Sequence, residues 1–514
     1  MLLGIDCGTS STKAILIDGR GSIVGSGSSS TPVESPRPGW TQQDPVLWWE
    51  AAREAVARAL AGAGVPGSAV RAVGLSGQMH GSVLLDVATI SSRGTSDDAL
   101  FPALLWNDQR TAGHLGAIAH AAGGSKALVE RVGNAALTGF TLPKLLWIKQ
   151  HHPEVMDRAA VVMLPKDYLR FRLTGEAATD VGDASGTLMF SPRGRAWDTD
   201  LVVRLGLNPS ILPRVIESGE VAGTLSRWAA ERTGLRAGTP VIAGSGDNQT
   251  SAVGAGVTSP GDGLMIVGTS GVIYTHSASP RADTGDAGAC GRTHLFAAAD
   301  GTARAPGAWC VTGCILSAAG SLQWLRDTAA PGLDFETLIG EAWSAPPGAE
   351  GLIFLPYLAG ERCPHQDPSA RGAFVGLSLH HGRGHLARAV IEGVSFALDQ
   401  VVRLQRSLGV PIDRVRLTGG AAQSHAWARL LADLTETPIE ITDSTEGSAL
   451  GAALLAGVGI GDWSDVREAG AGTIRVTHRI EPGPLDPALR DARETFSGLY
   501  AALKPAFSRL SATA

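Results

Sequence analysis

The sequence predicts an α/β protein built from two related domains, and three observations carry that reading. At 514 residues the chain exceeds what one compact domain holds. Short apolar runs alternate with stretches of helical spacing, the pattern of a mixed sheet covered by helices. The unit strand–Gly-Thr-Ser–strand also occurs twice, in "LLGIDCGTSSTKAILID" and in "GLMIVGTSGVIYTH", so Gly8-Thr9-Ser10 and Gly268-Thr269-Ser270 hold corresponding places in two halves of the chain.

Taken in order, "LLGID" reads as a buried strand, "GTSS" as a turn and "TKAILID" as the returning strand, and "DGRGSIVGSGS" adds a further turn and strand. "DPVLWWEAAREAVARAL" has helical spacing, with Asp44 as N-cap and Pro45 at the first helical position. "GAGVPG" matches G-x-G-x-x-G in form, but it follows a helix, holds Pro66 and precedes a strand, so it reads as a loop. "AVRAVGLSG" is the next strand, and "ATISSRGTSDDAL" is a polar surface excursion. "PVIAGSG" is a strand that delivers Asp247 to the start of a small-residue helix. A break near "GVTSPGDG" divides the chain into domains 1–257 and 258–514, and in the second "RVRLT" runs into Gly419-Gly420 and then a helix. In "LHHGRGH" His381 and His385 stand four apart, but the two glycines argue against a helix there and against a metal site.

Hydrophobic residues at 44% and charged residues at 18% allow large buried cores. The net charge of −6 and the lack of any basic tract argue against nucleic acid or an anionic membrane as partner, and favour small, neutral or weakly charged substrates. Five cysteines, an odd number in a long chain, fit reduced thiols in a cytoplasmic protein, and the C-x₃-C of Cys310 and Cys314 lacks a second pair for a metal. No signal-peptide pattern opens the chain, and no apolar run reaches the roughly 18–20 residues that span a bilayer.

Turns rich in Gly, Ser and Thr present N–H and hydroxyl donors that can cradle phosphate oxygens. Either turn alone reads as a tight hairpin. Both together, with "GSGDNQTSAVGAG" and "VRLTGGAAQSHAWARLLADLTETPI", read as a nucleotide site. Its phosphate residues would be Gly8, Thr9, Ser10, Thr12, Lys13, Gly268, Thr269 and Ser270, and Gly419, Gly420, Ala421 and Ser424 would admit adenosine. The first turn is not a P-loop, because Thr12 and not glycine precedes Lys13. Asp247, emerging from a strand end, is suited to accept a hydroxyl proton, with an N-cap aspartate as the ordinary alternative. Asp6 lies beside a phosphate turn, where an acid would repel unless a hard divalent cation stood between them. A buried strand aspartate bonded to backbone N–H groups is the alternative.

"GFTLPKLLWIKQH" around Lys144 and Trp147, "GTSG", "GGAAQSHAW" and "EGSALGAALLAG" follow one another in an order that resembles the FGGY family of carbohydrate kinases, of the actin/Hsp70/hexokinase-like superfamily. The resemblance runs from Met1 to about Gly457. It implies two ribonuclease H-like domains of the actin/hexokinase type flanking a nucleotide and sugar cleft, with ATP and Mg²⁺ as cofactors. It implies Asp247 as catalytic base, Asp6 and Asp247 beside the metal, and Met79 and His80 in the sugar pocket. "GLSGQMHGSVLLD", "LLWNDQR", "LPKDYLRFRLTGE", "TDVGDASGTL" and "LPYLAGERCPH" resemble members that phosphorylate D-xylulose on its 5-hydroxyl, and ribulose, gluconate and glycerol are the other acceptors to weigh.

His80, Trp106, Asp108 and Asn248 are the candidates for sugar hydroxyl or carbonyl contacts. Trp106 reads equally as a packing residue, and His80 has the alternative of a packed histidine bonded to backbone. Lys144 and Trp147 read as structural. Gln109, Cys363 and the loop before Pro102 depart from the family pattern and leave the pentulose preference open. The resemblance leaves room for a homodimer. The reading from a different class is a non-catalytic, actin- or Hsp70-like nucleotide module, against which Asp247 stands.

Overall fold

The computed structural model describes residues 1–285, 289–444 and 446–511. It comprises two compact units that are not consecutive halves of the chain. One holds Met1–Ser259, His276–Cys310 and Ser444–Arg475, and the other holds Pro260–Thr275, Val311–Asp443 and Val476–Ala514.

In the first unit the strand order is Ile23–Ser30, Ser11–Ile17, Leu2–Cys7, Ala72–Gly77, Pro240–Ile242, Val221–Thr224. The first three are antiparallel neighbours, and Ala72–Gly77 runs parallel to Leu2–Cys7. In the second unit the order Trp309–Ile315, Gly271–Ser277, Gly261–Val267, Ile412–Gly419, Ile439–Thr442, Val476–Ile480 repeats that plan. Gly261–Val267 is antiparallel to Gly271–Ser277 and parallel to Ile412–Gly419, as Leu2–Cys7 is to its two neighbours. The short repeat in the sequence is thus the visible part of a repeated sheet.

Helix Pro45–Ala63 starts where its N-cap signal places it: Asp44 accepts the Val46 N–H at 3.0 Å. Its inner face of Trp48, Trp49, Ala52, Ala55, Val56 and Ala59 closes a core with Leu3, Ile5, Leu16, Val73 and Leu75 of the sheet. The other face is covered by Gly447–Ile460, a helix apolar on nearly all sides and buried accordingly. Its backbone lies so close to the strands that a Cβ at Gly4 or Gly74 would overlap the carbonyls of Ala449 and Ala452. In the second unit Arg383–Ser407 buries Val390, Val394, Leu398 and Val401 against Val267, Ile273 and Ile315.

Two expected loops are partly helical. "LHHGRGH" runs into Arg383–Ser407, because the His385 ring accepts the Gly382 N–H at 3.1 Å and so caps the helix despite its glycines. "ATISSRGTSDDAL" begins inside a short helix, Val87–Ser91, that Asp86 caps. Among the described residues no helix is long and apolar enough to cross a membrane.

Candidate functional site

In the first unit, Asp6 sits in register with Lys13 on one side and Ser76 on the other. Ser76 Oγ lies 2.8 Å from Asp6 Oδ1, donating to it, and 2.7 Å from Thr250 Oγ1. Burial raises the Asp6 pKa, against the pull of Ser76 and Lys13. Lys13 itself is ion-paired with Glu446. Asp247 is the first residue of helix Asp247–Gly254, with Gly246 in the cap position, so its carboxylate is not the cap. Burial and then the charge of Asp6 push its pKa up to about 7, opposed by the backbone N–H groups of Asn248 and of Asp247 itself.

The helix that carries Asp247 is fixed by its neighbour Gly447–Ile460. Gly254 and Gly451 leave no room for a Cβ at the crossing, Ser251 Oγ and Ser448 Oγ are 2.7 Å apart, and Ser448 Oγ donates to the Asp247 carbonyl at 3.3 Å. Two half-buried carboxylates, the charge of Asp6 raising the proton affinity of Asp247, offer the hard oxygen ligands a small divalent cation takes. Among the described residues no three His, Cys, Asp or Glu side chains form a closed metal cage.

Met79 and His80 leave the end of strand Ala72–Gly77. Met79 packs over Gly246, with its sulfur 3.8 Å from Asn248 Nδ2. His80 is a non-glycine residue at φ 70°, a strained conformation that its surroundings must hold. Lys144 Nζ and Thr141 Oγ1 both donate to its carbonyl, at 2.7 and 3.1 Å. Its Nδ1 lies 2.7 Å from the Gly186 carbonyl, an acceptor, so Nδ1 carries a proton, and whenever the ring is neutral Nε2 is its acceptor nitrogen. Phe140 packs on the ring at 4.6 Å between centroids. The His80 ring is thus bonded to backbone, as one reading held, and the residue as a whole is half-buried. Lys144 is buried, which lowers its pKa well below the usual lysine value.

Trp106 is 42% exposed, and its Nε1–H donates to Thr9 Oγ1 at 3.0 Å. It is a surface residue tied to the first glycine turn, not a core packing residue. Two expected residues are placed elsewhere. Asp108 is fully buried, with Oδ1 and Oδ2 accepting from Arg110 and Oδ2 also from the Thr41 N–H, so it supports Arg110 and does not face a ligand. Thr12 is buried opposite Cys7 and points away from the turn, because side chains alternate along Ser11–Ile17.

One buried charge cluster escaped sequence reasoning. Lys166 Nζ lies 2.6 Å from Asp167, 3.0 Å from Asp180 and 3.6 Å from Asp183, and Arg170 lies 3.0 Å from Asp167, all of them fully buried. Asp180 Oδ2 also accepts from Ser218 and Ser245 at 2.8 and 2.7 Å. Burial holds the Asp183 carboxyl well above the usual range. The available signal was the i, i+1, i+4 spacing of Lys166, Asp167 and Arg170 in a helix, Pro165–Thr174, with no exposed face.

In the second unit the carbonyls of Gly268 and Thr269 accept the N–H groups of Ala319 and Ala318, both at 2.8 Å, which docks the turn on the start of helix Ala319–Ala329. Gly419, at φ 83°, lies against the Val267 carbonyl where no Cβ fits, so the strand can turn only with glycine there. Ser424 caps helix His425–Thr435, and Ala421 is buried beneath the turn. Beside them opens a cavity of about 560 Å³ walled by Thr269, Gly320, Phe335, Ile339, Gly420 and Gln423. Such a pocket, with an apolar wall and a few polar groups, suits a flat heteroaromatic base.

Residues 1–254 match the N-terminal domain, and residues 263–460 the C-terminal domain, of the FGGY family of carbohydrate kinases. A xylulose kinase of Bacillus subtilis is 36% identical over 481 residues, 94% of this chain and 92% of that protein. Among solved structures, a xylulose kinase from Rhodospirillum rubrum superposes with a TM-score of 0.87 at 32% identity, over 99% of each chain. A gluconate kinase from Lactobacillus acidophilus superposes with a TM-score of 0.89 at 27% identity, again over 99% of each chain. With its repeated sheet, its two glycine turns and these matches along nearly its whole length, the chain belongs to the FGGY family of carbohydrate kinases.

Proposed function

We propose that the protein transfers the γ-phosphoryl group of ATP to the 5-hydroxyl of D-xylulose, giving D-xylulose 5-phosphate and ADP. The observation that carries this reading is the packing of Met79 and His80 against Gly246 and Gly186, beside Asp247, so that sugar-pocket candidates and a carboxylate with a pKa near 7 share one surface of the first unit. The relatives named xylulose kinase support the choice of sugar.

Asp247 takes the proton of the attacking hydroxyl, which stays on its carboxyl group as the new O–P bond forms and ADP leaves with the bond electrons. A base with a pKa near 7 is about half ionised at neutral pH and still a strong acceptor. His80 offers its Nε2 to a sugar hydroxyl, Trp106 the face of its ring, and Asn248 its amide. Asp6 and Asp247 would hold Mg²⁺, which when bound neutralises charge on the phosphate oxygens. Backbone N–H groups of Gly8–Ser10 and of Thr269 and Ser270 orient phosphate, the Gly268 N–H being spent on the Ser270 carbonyl, and the second unit's cavity takes adenine, with Gly419 and Gly420 letting the ligand approach the backbone. Rate enhancement is then mainly positioning and electrostatics.

The test is a substrate panel with coupled ADP detection. D-Xylulose should give a kcat/KM at least about tenfold above D-ribulose, D-gluconate and glycerol, since a site built to hydrogen-bond its hydroxyls rejects analogues that leave them unpaired. D-Gluconate is the second reading, favoured by the likeness to the gluconate kinase structure, and its ranking first would replace the proposal.

A further inference from the structure

Beneath the first glycine turn runs a chain of side-chain amides whose direction is fixed at both ends. Gln43 Nε2 donates to the backbone carbonyls of Thr9 and Pro32 at 2.8 and 3.1 Å, and carbonyls only accept. Gln43 Oε1 must therefore be the acceptor, and it receives the indole N–H of buried Trp48 and the Nε2–H of Gln78, both at 3.0 Å. That orients Gln78 with Oε1 toward Thr9, whose hydroxyl donates to it at 3.0 Å. The Thr9 oxygen is left to accept, and what it accepts is the indole N–H of Trp106. No amide in this chain can flip without setting like against like. Gln43 and Gln78 are both buried, so an unmade bond here would strand a polar group away from water.

We propose that Gln43 and Gln78 are positioning residues that lock the phosphate turn and the sugar-facing Trp106 ring into one assembly, a proposal that rests on the kinase reading above. Two consequences follow from the chemistry. The only proton on Thr9 Oγ1 is committed to Gln78, so Thr9 meets phosphate through its backbone N–H and not through its hydroxyl. And Trp106, on the sugar side, is one hydrogen bond from Thr9, on the nucleotide side, so disturbing either residue disturbs the site of the other.

The experiment uses Trp106→Phe, which keeps an aromatic ring at an exposed position but removes the N–H together with part of the ring face, and Thr9→Val, which keeps the shape and loses the hydroxyl. ADP affinity is measured by calorimetry without sugar, and KM for ATP and for the preferred sugar by coupled assay. Trp106→Phe should weaken ADP about three- to tenfold, Thr9→Val should raise the sugar KM by a similar factor, and the double variant should be no worse than the worse single one. Gln78→Glu, which can still accept from Thr9 but cannot donate to Gln43, should reproduce both effects. If Trp106→Phe changes only the sugar KM, Thr9→Val changes only nucleotide parameters, and the two add, the assembly does not exist. Because the ADP measurement needs no sugar, it stands or falls independently of which sugar the enzyme phosphorylates.

Discussion

The two glycine turns share a strand plan but differ in what surrounds them. Two residues before the first turn stands Asp6, and at the same place before the second stands Ile266. Beneath the first lies Lys166, whose Cβ would crowd a side chain at Gly77, together with the acids it binds. Around the second turn, Gly271 packs on Ile315 and Leu398. The same backbone device thus stands beside buried charged groups in one unit and beside an apolar-walled pocket in the other. A strand–turn–strand motif supplies N–H groups, and the side chains around it decide what else the site can do.

The comparison breaks first at Asp247. Asp247→Asn should lower kcat by about 10²–10⁴, because the proton acceptor is removed, while ADP affinity measured without Mg²⁺ stays near wild type, because the metal ligand lost with it plays no part there. Turnover within threefold of wild type would show that the acidic side of the comparison has no catalytic content.

A second test weighs the buried surroundings against each other. Lys166→Met takes from buried Asp180 its cation and leaves Asp167 with Arg170 alone, and should cost about 3–5 kcal/mol of stability. Ile315→Val, in the apolar surroundings of the second turn, should cost about 0.5–1.5 kcal/mol. Denaturant unfolding of both variants reads this directly, and equal losses would contradict an electrostatic difference.

Smaller effects sharpen the contrast. As the proposed base Asp247 must be ionised to act, and its pKa is raised to about 7, so kcat/KM should rise with pH through that value. Raising Mg²⁺ should move the rise to lower pH, since a nearby cation favours the carboxylate. A profile flat between about pH 6 and pH 8 would remove Asp247 as the titrating base. On the second unit, Gly420→Leu should fill the cavity and raise the KM for ATP about tenfold, a loss of about 1.4 kcal/mol, with the sugar KM unchanged.

Much of this was legible in the residues. The repeat of Gly8-Thr9-Ser10 in Gly268-Thr269-Ser270 marked a duplicated sheet, and the order strand, Asp247, small-residue helix matched the structure closely. What stayed hidden depends on three-dimensional partners. Asp108 looks like a ligand-facing acid until Arg110 and Thr41 are seen to occupy its oxygens. Thr12 looks like one more hydroxyl of the turn until the strand's alternation buries it. Gln43 and Gln78, 35 positions apart, carry no pattern that links them before the fold brings them together.

The helix Gly447–Ile460 belongs to the first unit yet leaves the ribosome about 370 residues after the strand Ala72–Gly77 that it covers. At synthesis rates of roughly 5–20 residues per second, that interval is roughly 20–70 s. For that time the nascent sheet has one face, including Leu2, Ile15 and Ile17, without the apolar helix that closes it in the finished protein. A gene fragment ending at the family's N-terminal domain boundary, residue 254, would remain in that state permanently. The first unit therefore completes its core only late in synthesis, and its Asp247 helix gains its tight glycine crossing at the same moment.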